Sequence, residues 1–211
     1  MVPGLELFLR QYPRMTLLPV VGKGVVIEGG FQFVATAGGH PEVSDVYCLR
    51  IGVPADFPAA LPSVVELDHK IPRNGDFHVN PDGSLCLGSP LRLLLKLSKE
   101  PTLPGYASHC VVPYLYAISH KLRFGGQLPF NELKHGRPGE IEDYVELFGL
   151  KQAEQAEQAI RLLGIKKRIA NKAACPCECG QLVGKCVFNK KLHNMRRLAS
   201  RSWFRALSSM W

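Results

Sequence analysis

Residues 77–90 read FHVNPDGSLCLGSP, and the way this stretch folds governs the reading of everything around it. Asp82-Gly83-Ser84 has the composition of a tight reversal, and Gly88-Ser89-Pro90 that of a second break. Between them lies only Leu85-Cys86-Leu87, with His78 and Asn80 just upstream. Flanking turns expose a residue at a strand or loop end, and a thiol placed there is a candidate nucleophile. A turn at 82–84 folds His78 and Asn80 back alongside Cys86, where an Asn amide can donate a hydrogen bond to a developing oxyanion. The alternative is a small buried hydrophobe between two leucines, a common fate of cysteine, and the local features leave both readings open. Cys110, beside His109, is a weaker rival because it falls in an expected core helix, and Cys48, in DVYCLRI, is expected in the core.

Upstream of this stretch, GVVIEG, GFQFVATA, DVYCLRIGV and SVVEL are rich in β-branched and aromatic residues and read as strands. Strands following one another this closely suggest an antiparallel meander rather than βαβ units. Residues 2–12 fit a short amphipathic helix with Leu5, Phe8 and Leu9 on one side. FPAALPSVVEL sets two prolines just ahead of a strand, where a chain can turn into a sheet edge.

Downstream the character becomes helical. Ser89 is a cap for SPLRLLLKLSKE, with Pro90 at the first helical position. GYASHCVVPYLYAISHKL follows, with Pro113 kinking it or marking its start. PGEIEDYVELFG and KQAEQAEQAIRLLG are further helices, the latter closing with a Gly. Strands first and helices after make the expected class α+β.

The chain has 211 residues, 46% hydrophobic and 21% charged, which is globular rather than disordered. No apolar run approaches the ~20 residues that cross a bilayer, and MVPGLELFLRQYPR does not read as a secretory signal. The expectation is a cytoplasmic protein with no membrane partner. Residues 166–211 hold eleven Lys or Arg against the single acid Glu178, whereas the first 165 residues carry 15 basic and 17 acidic side chains. The charge change places an expected boundary between domains 1–165 and 166–211. Only the tail invites an acidic partner, nucleic acid included. Four of the seven cysteines fall within residues 175–186. In a reducing compartment such a cluster binds metal more often than it forms disulfides, and so small a segment needs that staple. Cys175, Cys177, Cys179, Cys186 and His193 are the candidate ligands for a structural zinc, which takes four. In the last stretch, Leu192, Met195, Leu198, Trp203, Phe204 and Leu207 recur at helical intervals among basic residues, as a helix docked on a core or one offered to a partner.

The order of helix, meander, proline-marked strand, His78-Val79-Asn80, Asp82-Gly83-Ser84, Leu85-Cys86-Leu87 and helices resembles the ubiquitin-conjugating enzyme family over roughly residues 1–150. The family carries His-Pro-Asn where this chain has His78-Val79-Asn80, a longer spacing to the cysteine, and often a following tryptophan that is absent here. The resemblance implies a ubiquitin-conjugating-enzyme-like fold. It also implies that Cys86 accepts a partner protein's C-terminus as a thioester and passes it to a lysine amine. Asn80 then stabilises the oxyanion and His78 holds the loop. LPFNELKHGRPGEIEDYVELFGL is similar to bacterial members of antiphage-defence operons, which implies a cGAS-like nucleotidyltransferase or a separate ubiquitin-like protein as the acyl donor. The chain has no nucleotide-binding fingerprint for adenylating a carboxylate.

Cys175-Pro176-Cys177, Gly180, Lys185 and Cys186 resemble the SEC-C motif, a small zinc-binding module. Val187 stands where that motif has its fourth ligand, leaving Cys179 or His193; His193 is preferred because Cys179 is so close to two other ligands. A reading of another class is a non-catalytic adaptor of the same fold, whose zinc module and tail contact protein or nucleic acid. A third is a thiol hydrolase using Cys86 and His109, for which the sequence offers no orienting acid.

Overall fold

Along β3 (Val43–Val53) the residues Val43, Tyr47, Leu49, Ile51 and Val53 are buried, while Ser44, Val46 and Arg50 face outward. This period of two commits the strand to a half-buried sheet. Its partner β2 (Val25–Ala35) buries Ile27, Phe31 and Phe33, and the two pair antiparallel over all 11 residues, from Val25↔Val53 to Ala35↔Val43. β1 (Met15–Leu18) pairs with β2, and β4 (Ser63–Glu66) with β3, giving the sheet order β1-β2-β3-β4. The architecture is α+β with the expected antiparallel meander. The computed structural model describes residues 2–19, 22, 24–126, 128 and 136–209.

One strand differs from expectation. GVVIEG and GFQFVATA are not two strands but the single β2, which runs through Gly29-Gly30. Gly29 has φ +141, and a Cβ there would lie 2.1 Å from the Arg14 carbonyl oxygen. The glycines therefore do not break the strand. They let the Arg14–Met15 backbone close on it, with Gly30 N–H donating to Arg14 O at 3.1 Å.

Helices cover the apolar face of the sheet. α1 (Leu5–Gln11) buries Phe8 beside Phe31, whose ring stacks on Tyr12 at 4.2 Å. α2 (Pro90–Leu97) starts as expected, with Ser89 Oγ accepting from Arg92 N–H, and it buries Leu91, Leu93, Leu94 and Leu97. α3 (Leu103–Tyr106) passes through a π-helical segment, Ala107–Val111, into α4 (Val112–Phe124). Pro113 is the second residue of α4 but lies within a continuous helical run, directly after the π-helical segment, an irregularity of the kind that accommodates a proline whose N–H cannot bond back. Fully buried Leu103, Val111, Leu115 and Ile118 each contribute on the order of 1.5–3 kcal/mol through the water-excluded area.

A polar cluster fastens α4 to β3. Ser119 Oγ donates to Asp45 at 3.0 Å, so the Tyr47 hydroxyl, 2.7 Å from Ser119 Oγ, must be the donor in that pair. Lys70 and the Val46 N–H also donate to Asp45, and Arg123 lies 3.2 Å from its other oxygen. Burial alone would push the Asp45 carboxyl up, but the hydrogen bonds from Lys70, Val46 and Ser119 outweigh it and hold it below the usual carboxylate range.

The chain divides into two units, Met1–Glu132 and Leu133–Trp211. The sequence-derived boundary at 165/166 marks a change of charge, not of packing. α5 (Gly136–Phe148) and α6 (Ala153–Gly164) belong with the cysteine segment, because α6 packs against α5, α8 (Phe188–Met195) and α9 (Arg201–Ser209). The short α7 (Lys167–Ala170) follows α6. Gly149 closes α5 in a left-handed conformation, its N–H on Glu146 O and that of Leu150 on Val145 O. At the end of α6 the Arg196 guanidinium donates to the carbonyls of Leu162, Leu163 and Ile165 at 2.6, 2.9 and 3.0 Å. These are helix-terminal acceptors with no intrahelical donor. Phe204 and Leu207 of α9 are buried, so that helix is docked by its apolar side.

Two outcomes are expected. Asp45 has a depressed folded pKa, so its stabilisation is present above its unfolded value and lost as pH falls through the folded one. Asp45→Asn should lower stability at neutral pH, and the difference from wild type should shrink below about pH 4 in acid unfolding followed by circular dichroism. Arg196→Ala should destabilise the protein by about 1–3 kcal/mol in urea titrations, because three carbonyls lose a charged donor.

Candidate functional site

Within residues 77–90, His78–Cys86 fold as a short β-hairpin docked on the sheet edge. Asn80 N–H donates to Ser84 O at 2.8 Å and Gly83 N–H to Asn80 O at 2.9 Å, around a three-residue loop, Pro81-Asp82-Gly83. Pro81 presets the turn, and Gly83, at φ +82, takes the left-handed position that closes it. Val79 pairs with Leu85, and Cys86 N–H donates to His78 O at 2.8 Å. On the other side Ser84 bridges Val65, and Leu85 N–H donates to Val64 O at 2.8 Å. The cysteine strand is thereby stitched to β4.

Register decides which side chains meet. Paired residues share a face of a hairpin, and so do residues two apart. Cys86, Ser84 and Asn80 therefore line one face, and Val79 and Leu85 the other, where Leu85 is buried. Cys86 is half-buried. His78 leaves the alternation, because its φ of 52 is left-handed; what it brings to Cys86 is its backbone carbonyl.

Asn80 is itself held by a chain of hydrogen bonds. Asp82 Oδ1 accepts from both Ser84 N–H (2.9 Å) and Ser84 Oγ (2.6 Å). With its proton committed to the carboxylate, Ser84 Oγ is an acceptor for Asn80 Nδ2 at 3.0 Å. This fixes the amide with its NH2 end toward the Ser84 strand, leaving one N–H for another acceptor. Those two hydrogen bonds from Ser84 hold the Asp82 carboxyl below its ordinary pKa. Sequence reading saw Asp82 and Ser84 only as turn formers.

It also missed Tyr114. Its hydroxyl donates to Phe77 O at 2.7 Å, and its pKa is raised by burial first and then by the neighbouring Cys86. No local pattern links positions so distant in sequence. Cys110 is buried, and burial pushes its thiol up to about 11. Cys48 is half-buried on the outward face of β3 rather than in the core, and its thiol is raised chiefly by desolvation. Glu100 supplies an acid that the sequence did not suggest, with its carboxylate 3.8 Å from His109 Nε2.

The second cluster is in Leu133–Trp211. The sulfurs of Cys175, Cys177, Cys179 and Cys186 all lie within 4.8 Å of one another, close enough to hold a metal ion. Sγ–Sγ separations of 3.1 Å (Cys175–Cys177) and 3.5 Å (Cys177–Cys186 and Cys179–Cys186) compare with roughly 3.8 Å expected around a tetrahedral ion with 2.3 Å metal–sulfur bonds. The donor set therefore fits once these separations open, by about 0.7 Å for Cys175–Cys177 and about 0.3 Å for the other two. Phe188 N–H points at Cys186 Sγ from 3.4 Å, the kind of outer-shell hydrogen bond that orients a thiolate ligand. Burial pushes the Cys175 thiol up, while hydrogen bonds from Cys175 first, and from Cys179 and Cys186, bring Cys177 down to about 7.

His193 is not in this group, which corrects the expected ligand set. Glu178 (φ 57) and Gly180 (φ 74) curl the loop, so Cys179 returns beside Cys186. Ala174 and Leu182 pair across the base of the loop. α8 meanwhile buries Phe188, Leu192 and Met195, which places His193 off that stripe and exposed. The sequence left Cys179 and His193 both open and preferred His193 because Cys179 is close to its neighbours; the two left-handed residues remove that objection.

Metal analysis of the purified chain should give one divalent ion per molecule. Cys179→Ser should lower its retention against a chelator by at least about tenfold, and His193→Ala should leave it unchanged. Native protein treated with a thiol-alkylating reagent near neutral pH should be labelled at Cys86 and spared at Cys110, as peptide mass mapping would read. No protein-family model, no curated protein and no solved structure matches this chain.

Proposed function

We propose that this chain is a conjugating enzyme that carries a partner protein's C-terminus on Cys86 and transfers it to a lysine. In the loading step the Cys86 thiolate attacks an activated carbonyl, a carbon–sulfur bond forms, and the activating group leaves with the bonding electrons. In the transfer step a deprotonated lysine amine attacks the thioester carbonyl. The carbon–sulfur bond then breaks, and Cys86 departs as a thiolate while the amine's extra proton passes to solvent. Asn80, through the amide hydrogen that Ser84 does not take, stabilises the oxyanion between the two. The His78 carbonyl, and Tyr114 through the Phe77 carbonyl, brace the hairpin that carries the cysteine.

The observation that carries this reading is the shared hairpin face of Cys86 and an amide whose orientation is fixed by Asp82 and Ser84. Such a site needs no deep pocket, because both substrates are proteins. The sequence resemblance narrows the donor to a cGAS-like nucleotidyltransferase or a ubiquitin-like protein of a bacterial antiphage system. The activation step comes from another protein or is bypassed. The metal held by Cys175, Cys177, Cys179 and Cys186 is zinc in this reading, and four thiolates leave it no open position, so it cross-links the loop rather than acting on substrate.

A non-catalytic adaptor is the second reading, favoured by the half-burial of Cys86. Intact-mass analysis of the protein co-expressed with its genomic neighbours separates the two. Conjugation predicts a protein-sized adduct released by thiol reductant and missing in Cys86→Ala. Asn80→Ala should still load but discharge to free lysine about 10²-fold more slowly, with Ser84→Ala between it and wild type. An absent adduct, together with a Cys86 inert to alkylation, would leave the adaptor standing.

A further inference from the structure

The second unit has a cavity of about 420 Å³ with an unusual wall. Its apolar residues are Leu163 and Ala199, and Ser200 and the cations Lys166, Lys167, Arg196 and Arg201 complete it. No acidic side chain lines it, and none of these four cations has an ion-pair partner among the described residues. Like charges gathered without a counterion repel. Arg196 registers this: burial first, and then the charge of Arg201, push its pKa below the ordinary value.

The four cations do different work. Arg196 spends donors on the carbonyls of Leu162, Leu163 and Ile165, so it contributes charge, partly offset by those oxygens. Lys166, Lys167 and Arg201 are exposed and make no such commitment. Ser200, also in the wall, caps α9 by accepting from Trp203 N–H at 3.1 Å. The positive end of the nine-residue α9 therefore adds to the field at the same opening.

We infer that this cavity is a phosphate-binding site and that its occupant is the phosphodiester backbone of a nucleic acid. Exposed Arg168 and Arg197 directly follow the cavity residues Lys167 and Arg196, and exposed Arg205 lies one helical turn after Arg201, a run of cations that suits a polyanion better than one small anion. A lipid surface is disfavoured because the apolar side of α9, Phe204 and Leu207, is already buried and cannot insert. An acidic protein would need an apolar anchor larger than Leu163 and Ala199 provide. The site is independent of Cys86 and of the conjugation reading.

The test is fluorescence anisotropy of the full metal-loaded chain with labelled single-stranded and duplex DNA oligonucleotides, between about 50 and about 200 mM salt. Binding should weaken log-linearly with salt. The triple variant Lys166→Ala, Lys167→Ala, Arg201→Ala should bind at least about tenfold more weakly, with a salt slope shallower by about two to three. A control with equal charge loss in the first unit, Arg10→Ala, Arg14→Ala, Lys99→Ala, should stay within about twofold of wild type. Thermal unfolding and metal content check the fold. If the triple variant misfolds, each single variant carries the test, with a slope change of about one. The inference is overturned if the cavity variants bind like wild type, or if the control loses as much as they do. It is equally overturned if wild type binds only phosphatidylserine-containing vesicles, or only inorganic phosphate in a thermal-shift assay.

Discussion

The hydrogen bond from Leu85 N–H to the Val64 carbonyl, with the Ser84–Val65 bridge beside it, decides where Cys86 can be. β4 is the edge of the sheet, and without a neighbour its outer backbone groups would face water or another chain. The cysteine strand takes that edge. Its position is thereby inherited, through β4, from the β2–β3 ladder, which pairs over all 11 residues, rather than from a loop. Apolar Leu85 and Val79 fix which way the hairpin faces, because exposing Leu85 would forfeit its burial. Cys86, Ser84 and Asn80 then have one face left to occupy.

Much of this was legible in the sequence because it rests on local chemistry. Ser89 and Pro90 announced α2, the β-branched and aromatic residues of DVYCLRIGV announced β3, and Asp82-Gly83-Ser84 announced the turn. The misreadings share a cause. Gly29-Gly30 has the composition of a break, but only the tertiary approach of Arg14 explains why glycines sit inside an unbroken strand. The division at 165/166 followed charge, whereas packing follows the apolar stripes of α6, α8 and α9, which charge does not track. Tyr114 and Glu100 were out of reach for the same reason: each meets its partner through the fold. Cys179 was legible as a ligand type but not as a ligand position, since its placement depends on a left-handed conformation at a glutamate.

The two units divide their chemistry cleanly. Met1–Glu132 holds the hairpin that carries Cys86, Asn80 and Ser84, with Tyr114 bonded to Phe77 at its base. Leu133–Trp211 holds the four-cysteine cluster and the unbalanced cations around a core that includes Tyr144, Phe148, Ile160 and Phe204. Arg196 and Lys191 tie its helices together by donating to helix-terminal carbonyls, Lys191 to Phe148 at 2.8 Å. Basic side chains here therefore serve as structural caps as well as surface charge.

The hairpin also sets unequal rules for how this segment can change over evolutionary time. Residues added at the tip, between Pro81 and Gly83, lengthen the loop and leave the pairing of Asn80 with Ser84 and of His78 with Cys86 intact. A single residue added between Ser84 and Cys86 would invert the face of everything after it. It would turn the thiol toward the core while Leu85 still held the sheet edge. Length drift in related chains is thus tolerated before Ser84 and penalised after it, so alignments of this segment should be anchored on the Ser84–Cys86 triplet and left open at the turn.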